Sequence, residues 1–408
     1  MTFSGRLFLA SVLTLPLQLN KFFFGEFSYV LGIPIDYRAI AIYLSDIFIV
    51  AYLCAFLFEN RKKLREIYEA RKNFVVAIFL LNYYLILSSF LSSVDSLASI
   101  NFNLKTLELS LFAVLASITL TKKKIFNLSI FVLAFSGAWQ SFLLIFQFIL
   151  QRSLGLWFLG ERAFDTSTPS IAHASFLGNF WLRPYGTFPH PNVAAAFLTL
   201  TLIILIAYFP KTRQFSFLRS VAIAASIFGV LITFSKAAIL VFLVSLITVS
   251  GKIKYFIAKG LLFIVLLIAF FLLFTEGQLA SIAERFTLAQ AALDIYKTSP
   301  LFGVGSNNFI LELSKLNLIS IGETRLLQPV HNVFLLILAE NGIIGLLLFA
   351  YLLFVIFKNT NTKPKFALFL SLLIFMSVDH FFLTLQQGQF LFWFTLAFII
   401  SSPNKSIS

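Results

Sequence analysis

Long apolar stretches alternate with short polar connections over almost the whole chain. A helix needs about 20 apolar residues to cross about 30 Å of hydrocarbon. Twelve stretches meet or approach that length, and they centre on about residues 15, 48, 84, 113, 137, 200, 225, 243, 267, 345, 372 and 395. The pattern therefore predicts an all-α, polytopic membrane protein with about twelve transmembrane helices.

Composition supports the same class. The 408 residues are 59% apolar and only 12% charged, and they include 53 phenylalanines, which excludes a water-soluble fold. The net charge of +14 does not indicate a nucleic-acid partner, because the basic residues fall in short runs between apolar stretches. The single cysteine, Cys54, lies in an apolar run, so neither a disulfide framework nor a cysteine-based metal site is expected.

The distribution of lysine and arginine predicts the topology. If both termini are cytoplasmic, the inner segments carry 20 of the 31 lysines and arginines, as the positive-inside rule requires. These segments are the N-terminus with Arg6, 59–73, 121–124, 210–219, 251–259, 358–365 and the tail with Lys405. No small-residue cleavage site follows the first apolar stretch, which is interpreted as an uncleaved span.

The same topology places two long segments outside, at about 151–190 and about 276–331. In the second, apolar residues step by three or four and predict an amphipathic helix ended by Pro300. Its predicted apolar face consists of Leu279, Ile282, Phe286, Ala289, Leu293 and Tyr296. No internal repeat or low-complexity linker interrupts the chain, so residues 1–408 are predicted to form one integral membrane domain.

Several polar residues fall within or at the ends of predicted spans, where a charged side chain costs roughly 2.5 to 3.5 kcal/mol on insertion scales. They are Asp46, Glu108, Lys236, Glu340 and Asp379. The structural interpretation is that they lie near interfaces or pair across the bundle. His331 stands where the second outer segment becomes a helix, before a span interrupted by Glu340, Gly342 and Gly345. It is either a helix cap or a residue that faces a polar cavity.

The stretch RPYGTFPHPN, residues 183–192, concentrates polar groups and prolines between two apolar segments. Its prolines hold the backbone out of a helix until Pro191, which suits a first helical turn. Arg183 and His190 are thereby fixed at the outer mouth of a span. The alternative is a rigid cap with an arginine that extends to the membrane surface.

Taken together, four motifs resemble the O-antigen ligase and polymerase superfamily of bacterial membrane glycan transferases. They are RPYGTFPHPNVAAAFL, TFSK at 233–236, AERF followed by SPLFGVGSNNF in the outer segment, and HNVFLLILAENGIIGLLLF after it. The resemblance covers about residues 175–390. The family commonly has arginine at the position of Lys236. Lysine keeps the positive charge but lacks the planar guanidinium that can form two parallel hydrogen bonds. The histidine of FPHPN recurs in the family without being obligatory.

The resemblance implies a GT-C-like glycosyltransferase in the cytoplasmic membrane, with its active site facing the periplasm or exterior. It would transfer a glycan from undecaprenyl diphosphate to a hydroxyl of a glycan or lipid A core acceptor, as an O-antigen ligase does. The family's site residues fall on Arg183 and Arg285 for the donor diphosphate and on His331 for catalysis, with Arg325 as an alternative to Arg285. His190, Asn192, Lys236 and Asn332 are expected to support them.

This chemistry suits the residues. Guanidinium groups bind diphosphate oxygens by charge-assisted hydrogen bonds, and a histidine can take a proton near neutrality. No Asp-x-Asp pair occurs in the sequence, so we expect no metal and no cofactor. An O-antigen or exopolysaccharide polymerase and a protein O-oligosaccharyltransferase would use the same donor and residues. A secondary transporter or lipid-linked oligosaccharide flippase is the alternative from another class, but its two matched halves are not evident.

Overall fold

The computed structural model describes residues 1–176, 179–250, 278–316 and 326–401, which form a helical bundle with small sheets on its connections. The helices are α1 (Phe3–Thr14), α2 (Leu44–Asn60), α3 (Leu64–Ala70), α4 (Lys72–Leu91), α5 (Ser96–Thr119), α6 (Lys123–Leu150), α7 (Pro191–Tyr208), α8 (Ser216–Ile232), α9 (Lys236–Ser250), α10 (Gln278–Thr298), α11 (Phe309–Leu313), α12 (Val333–Phe357), α13 (Lys363–Val378), α14 (Phe381–Thr384) and α15 (Gln386–Ile400).

Eleven of the twelve predicted spans coincide with helices, although α1 ends at Thr14, just before the predicted centre at residue 15. The span centred on residue 267 and the inner segment 251–259 lie outside the described residues. Within the described ranges, six helices are long and apolar enough to cross a membrane: α4, α5, α6, α7, Arg213–Ile232 and α12. The chain is therefore a helical, multi-pass membrane protein, and the count of twelve spans stays a prediction.

Two helices form the centre of the bundle. Every residue of α15 is buried, and α7 is buried along most of its length. Helix α7 packs against α6, α8, α9 and α13, while α15 packs against α5. Because α7 begins at Pro191, within the RPYGTFPHPN motif, the motif is attached to one of the most enclosed helices in the described part of the chain.

Three two-stranded antiparallel sheets on the connections were not anticipated by the all-α prediction. The strands are β1 (Asn20–Phe23), β2 (Tyr29–Val30), β3 (Ile33–Pro34), β4 (Ile40–Tyr43), β5 (His173–Phe176) and β6 (Asn179–Leu182). Strand β1 pairs with β4, β2 with β3, and β5 with β6. Such short strands carry too few alternating residues to produce a distinct two-residue period in the sequence.

Two of the acidic residues at membrane depth have structural partners, as the structural interpretation predicts. Lys105 Nζ lies 2.6 Å from Asp46 Oδ2 and 3.2 Å from Glu108 Oε2, which joins α2 to α5. Gln386 of α15 donates a 2.5 Å hydrogen bond to the other oxygen of Asp46. The group compensates the cost of its own burial and needs no catalytic role.

Helix α10 exists as predicted, and three residues of its predicted apolar face lie on its exposed side. Ile282, Phe286 and Leu293 are exposed. The buried face consists of Leu288, Ala291, Ala292 and Ile295. Alanines on this second stripe allow α10 to approach α12 closely.

The interruption of α12 is filled by the outer segment that precedes it. Gly342 has φ +63°, which breaks the helix. The backbone amides of Val304 and Gly305 donate to the carbonyls of residues 339 and 340 at 3.2 and 2.7 Å, and Ile343 N donates to the carbonyl of Pro300 at 2.9 Å. We call this contact between residues 300–305 and 339–343 the clasp. It pairs backbone groups that a helix break would otherwise leave unpaired at membrane depth.

Glu340 and Arg38 reinforce the clasp. Glu340 Oε1 accepts from the amide of Phe309 at 3.1 Å. Arg38 is almost fully buried, and it donates to the carbonyls of Phe27 and Asn307 at 2.7 and 2.6 Å and pairs with Asp95 at 2.6 Å. The N-terminal connection is thereby tied to the same loop.

The connections gather into two groups that match the predicted topology. Segments assigned to the outer side touch one another: Arg183 contacts Thr233, Asn192 contacts Asp379, and Arg285 contacts Val378. Segments assigned to the inner side do the same, as in the pairs Ser4 with Glu59, Arg71 with Ser117, and Lys365 with Ser401. The predicted outer connections therefore meet at one end of the bundle.

The clasp predicts a specific intolerance to a single methyl group. In Gly303→Ala, the new Cβ would lie 2.3 Å from backbone atoms of Glu340. We expect poor accumulation of folded protein or a fall in melting temperature of several degrees, because backbone on both sides resists displacement. Thermal unfolding of the detergent-solubilised protein measures this.

Gly155→Ala is the matched control for that experiment. Gly155 has φ +80° against +71° at Gly303, yet nothing lies within 4 Å of its Cβ position. The two variants share the cost of a left-handed alanine, roughly 1 kcal/mol, and differ in the clash. Equal melting temperatures would refute the importance of the clasp.

Candidate functional site

The RPYGTFPHPN motif forms a rigid turn at the start of α7. Gln147 Oε1 accepts hydrogen bonds from the amides of Tyr185 and Gly186 at 3.0 and 2.8 Å. His190 is the N-cap residue, and its Nδ1 accepts from the amide of Asn192 at 3.1 Å. Pro191 occupies the first helical turn, as predicted. A cap role is thus correct for His190, and the turn fixes where α7 begins.

Arg183 is held at two points of its guanidinium. Its Nε donates to the carbonyl of Thr233 at 2.8 Å, within the TFSK turn, and Nη2 donates to Asn192 Oδ1 at 2.7 Å. Burial lowers the pKa of Arg183 to about 10, so that it still carries its charge at neutral pH. Arg183 is therefore a cation that is fixed in orientation by hydrogen bonds and largely removed from solvent, and it does not extend freely to the membrane surface.

Asn192 connects this cation to the histidine at the end of the loop. Asn192 Nδ2 donates to Asp379 Oδ2 at 2.8 Å. Asp379 Oδ1 lies 3.6 Å from His331 Nδ1, slightly beyond hydrogen-bond distance, and that nitrogen is buried without another partner. Arg183, Asn192, Asp379 and His331 thus form a chain of contacts, which we call the relay.

His331 precedes α12 and is positioned by its neighbour. Asn332 is the N-cap residue, with Oδ1 accepting from the amide of Leu335 at 3.0 Å. Its Nδ2 donates to the carbonyl of Ser377 at 3.0 Å, close to Asp379. Asn332 therefore takes the cap role that the sequence allowed for His331, and it leaves the histidine to face the relay.

The surroundings of the relay shift the pKa values of its histidines and of its carboxyl group. Burial, followed by the charge of Arg183, lowers the pKa of His190 to about 3, and burial lowers that of His380 to about 4. Burial opposes ionisation of Asp379, but the close contact with His331 and the nearby imidazoles outweigh it and hold the pKa of this carboxyl well below its usual range. At neutral pH the carboxylate is ionised, and His190 and His380 are neutral bases.

Further cations lie beside Arg183. Arg285 on α10 donates from Nη1 to the carbonyl of Val378 at 3.0 Å, next to Asp379. Lys236, the first residue of α9, is close enough to Arg183 and Arg285 to experience their charges. Arg285 is therefore brought to the site as predicted, whereas Arg325 lies outside the described residues.

Three side chains of the site could in principle hold a metal ion. One ligand atom from each of His331, Asp379 and His380 lies within 4.8 Å of the others. Several of these atoms are already engaged, however. Asp379 accepts from Asn192 at 2.8 Å and from the amide of His380 at 2.8 Å, and His380 Nδ1 lies 2.6 Å from Thr384 Oγ1. The arrangement is that of a hydrogen-bonded network.

Sequence reasoning did not select Asp379 or His380 as site residues. Asp379 was noted only as a polar group at membrane depth, and His380 was not considered. The available signal was the pair Asp379–His380 between apolar runs. Three of the four histidines of the chain, His190, His331 and His380, converge here, and the rings of the last two are 5.0 Å apart.

The relay borders a large space. His190, His331, Asp379 and His380 line a cavity of about 900 Å³, which is large enough for a small-molecule or sugar ligand. Buried charges, neutral histidines and a cavity of this size are features of a binding or catalytic site.

Comparison with known proteins agrees with these features. No curated protein matches the sequence significantly. A family model described as O-antigen ligase matches residues 192–350, which include Asn192, Lys236, Arg285, His331 and Asn332. The match confirms the resemblance that the motifs predicted and places it in residues 192–350.

Proposed function

We propose that the protein transfers a glycan from undecaprenyl diphosphate to an acceptor hydroxyl on the outer face of the cytoplasmic membrane, in the manner of an O-antigen ligase. The family supports glycan transfer of the ligase or polymerase type by a membrane enzyme. An O-antigen or exopolysaccharide polymerase, or a protein O-oligosaccharyltransferase, would differ in the acceptor and not in the donor chemistry. The GT-C-like architecture and the single domain belong to this proposal.

One observation carries the proposal: the relay joins the motif arginine to the loop-end histidine. Arg183 and His331 are 148 positions apart in sequence, yet only Asn192 and Asp379 separate them in space. A group that binds an anionic leaving group and a group that moves a proton are thus held in one frame. A purely structural role would not require both.

The cations suit a diphosphate leaving group. When the bond between the anomeric carbon and the phosphate oxygen breaks, negative charge grows on the departing diphosphate. Arg183 and Arg285 would bind its oxygens by charge-assisted hydrogen bonds that strengthen as this charge develops, with Lys236 adding a point charge. Arg183 is oriented in advance, so little reorganisation is needed during the reaction.

His331 is proposed as the general base. Its Nδ1 faces Asp379, which leaves Nε2 to take the proton of the attacking hydroxyl while the new glycosidic bond forms. The ionised carboxylate would tighten its contact with Nδ1 and stabilise the imidazolium as it appears. The 3.6 Å separation is of the kind that shortens when substrate is bound. His190 and Asn332 hold the helix starts that frame this pair.

Arg183→Ala and His331→Ala test the two principal roles. Each should lower glycan transfer at least about 100-fold with unchanged protein level and membrane insertion. Mass spectrometry of lipid-linked and envelope glycans, in a deletion strain complemented with each variant, measures this. Full-length glycan accumulating on undecaprenyl diphosphate indicates a ligase or protein transferase, and single repeats on the acceptor indicate a polymerase.

Matched controls are available within the chain. His173 on β5 and Arg213 before α8 are exposed, and neither belongs to the relay. His173→Ala and Arg213→Ala should restore normal glycans. If His331→Ala also restored them, or if both glycan pools were unchanged in the deletion strain, the transferase proposal would fall and a transporter would become the better hypothesis.

Asn192→Ala tests the bridge between Arg183 and Asp379. The substitution removes both hydrogen bonds of the amide without touching either charge. We expect the rate of transfer at saturating substrate to fall roughly 100-fold, because misplacement of reacting groups by about 1 Å costs that much. Asn359→Ala, at the far end of α12, is the control, since its amide only caps a helix end. A near-normal rate for Asn192→Ala would show that the bridge does not align the site.

Metal independence is a separate prediction. Incubation of purified protein with EDTA, followed by its removal, should leave the initial rate of transfer unchanged, because Asp379 already accepts from Asn192 and from the amide of His380, and His380 Nδ1 is already in contact with Thr384 Oγ1. Loss of activity that a divalent cation restores would instead assign a metal to His331, Asp379 and His380.

A further inference from the structure

The cavity beside the relay has walls that come mainly from outside the family match at 192–350. Three stretches of the N-terminal part contribute: residues 18–22, 34–37 and 157–162. His331, Asp379 and His380 form the side at which the proposed base lies. The cavity therefore joins the catalytic group to a part of the chain whose role the family match leaves open.

These walls are fixed to one another. Gly160 has φ +87°, and a Cβ there would lie 2.6 Å from the backbone of Gln18, so that the two stretches are in direct contact. Glu161 accepts from the amides of residues 154 and 156 at 2.7 and 2.6 Å and from Gln147 at 2.8 Å. The third stretch is held by Asn307, which donates to the carbonyl of Tyr37 at 3.0 Å. The cavity is preformed.

The lining combines amides, a carboxylate and aromatic rings. Gln18, Asn20, Gln328 and Asp36 offer hydrogen-bond groups, and Phe22, Tyr37 and Trp157 offer ring surface. Burial raises the pKa of Tyr37 to about 12, so that its hydroxyl remains a donor at neutral pH. Sugar rings present hydroxyls at their edges and C–H groups on their faces, which hydrogen-bond to amides and carboxylates and pack on aromatic rings.

The cavity is a poor place for a diphosphate. Among the described lining residues, Arg162 is the cation, and the carboxylates Asp36, Glu161 and Asp379 face the same space. Arg183, Arg285 and Lys236 are not part of the described lining and lie close to one another. The histidines and Asp379 thus lie between two regions. On one side is the cationic region of Arg183, Arg285 and Lys236, and on the other is the cavity, whose lining is mainly uncharged and acidic.

We propose that this cavity binds the acceptor as a sugar, with Asp36 hydrogen-bonding its hydroxyls and Trp157 packing on its ring face. The inference rests on the proposed transferase function. The donor diphosphate lies on the arginine side, and the acceptor hydroxyl reaches His331 from the cavity. Selection of the acceptor then depends on residues 18–22, 34–37 and 157–162, outside the matched residues 192–350.

A kinetic experiment with the full-length protein in proteoliposomes tests this. The donor is the lipid-linked glycan fraction, and the acceptor is the envelope glycan fraction, both extracted from cells that lack the protein. Initial rates are measured against each substrate with the other saturating. Trp157→Ala and Asp36→Asn should each raise the KM for the acceptor about tenfold and leave the KM for the donor within about twofold.

Phe158→Ala and Asp294→Asn are the matched controls. Phe158 is an exposed aromatic next to Trp157, Asp294 is an exposed aspartate on α10, and neither lines the cavity. Both should behave as wild type. Trp157 is 75% exposed, so its replacement should not impair folding.

The outcomes separate the two hypotheses. No transfer by the wild-type protein would overturn the proposed function and this inference with it. Transfer with unaltered KM values in both cavity variants would overturn the acceptor site alone. A raised KM for the donor in place of the acceptor would also overturn it, because the cavity would then hold the donor glycan.

Discussion

The structure depends on how a membrane-embedded helix is allowed to break. Unpaired peptide groups are costly in hydrocarbon, so the interruption at Gly342 requires partners from elsewhere in the chain. Residues 300–305 supply them through backbone hydrogen bonds, and the contact is so close that glycine stands on both sides, at Gly303 and Gly342. The two motifs SPLFGVG and ENGIIG are therefore halves of one packing arrangement.

The clasp explains how the helices on the two sides of a long connection are held together. Helix α10, which bears Arg285, ends just before residues 300–305, the first side of the clasp. Residues 339–343 of α12 form the second side, and His331 lies immediately before the first turn of α12. Asn332 and Asn192 align the starts of α12 and α7 against the residues around Asp379. The asparagines act as rigid couplings, because each amide both donates and accepts. Asn192 donates to Asp379 and accepts from Arg183, and Asn332 donates to the carbonyl of Ser377 and accepts from the amide of Leu335.

Much of this could be predicted from local signals. Apolar length predicted eleven helices, the prolines around His190 predicted where α7 begins, and the resemblance selected Arg183, Arg285 and His331, which the structure brings close to one another. The apolar stripe of α10 with Ile282 and Phe286 is visible in the sequence, but the stripe that packs inward is a second one. Which stripe is buried depends on the fit to α12, which no local pattern shows. Asp379 was undervalued because its partners, Asn192 and His331, are distant in sequence. The short sheets and the cavity depend on long-range contacts that no local period reveals.

The order of synthesis gives the clasp a further consequence. Residues 300–305 emerge before α12, so their amides have no α12 carbonyls to meet until that helix has entered the membrane. The backbone groups at the break in α12 can then form hydrogen bonds with residues 300–305 as soon as the helix has inserted, so they do not remain unpaired in lipid. His331 arrives with the same helix, which makes assembly of the site one of the last events in biogenesis. A chain arrested before α12 would contain most of the helices but would lack His331, Asp379 and His380, and with them one side of the candidate site.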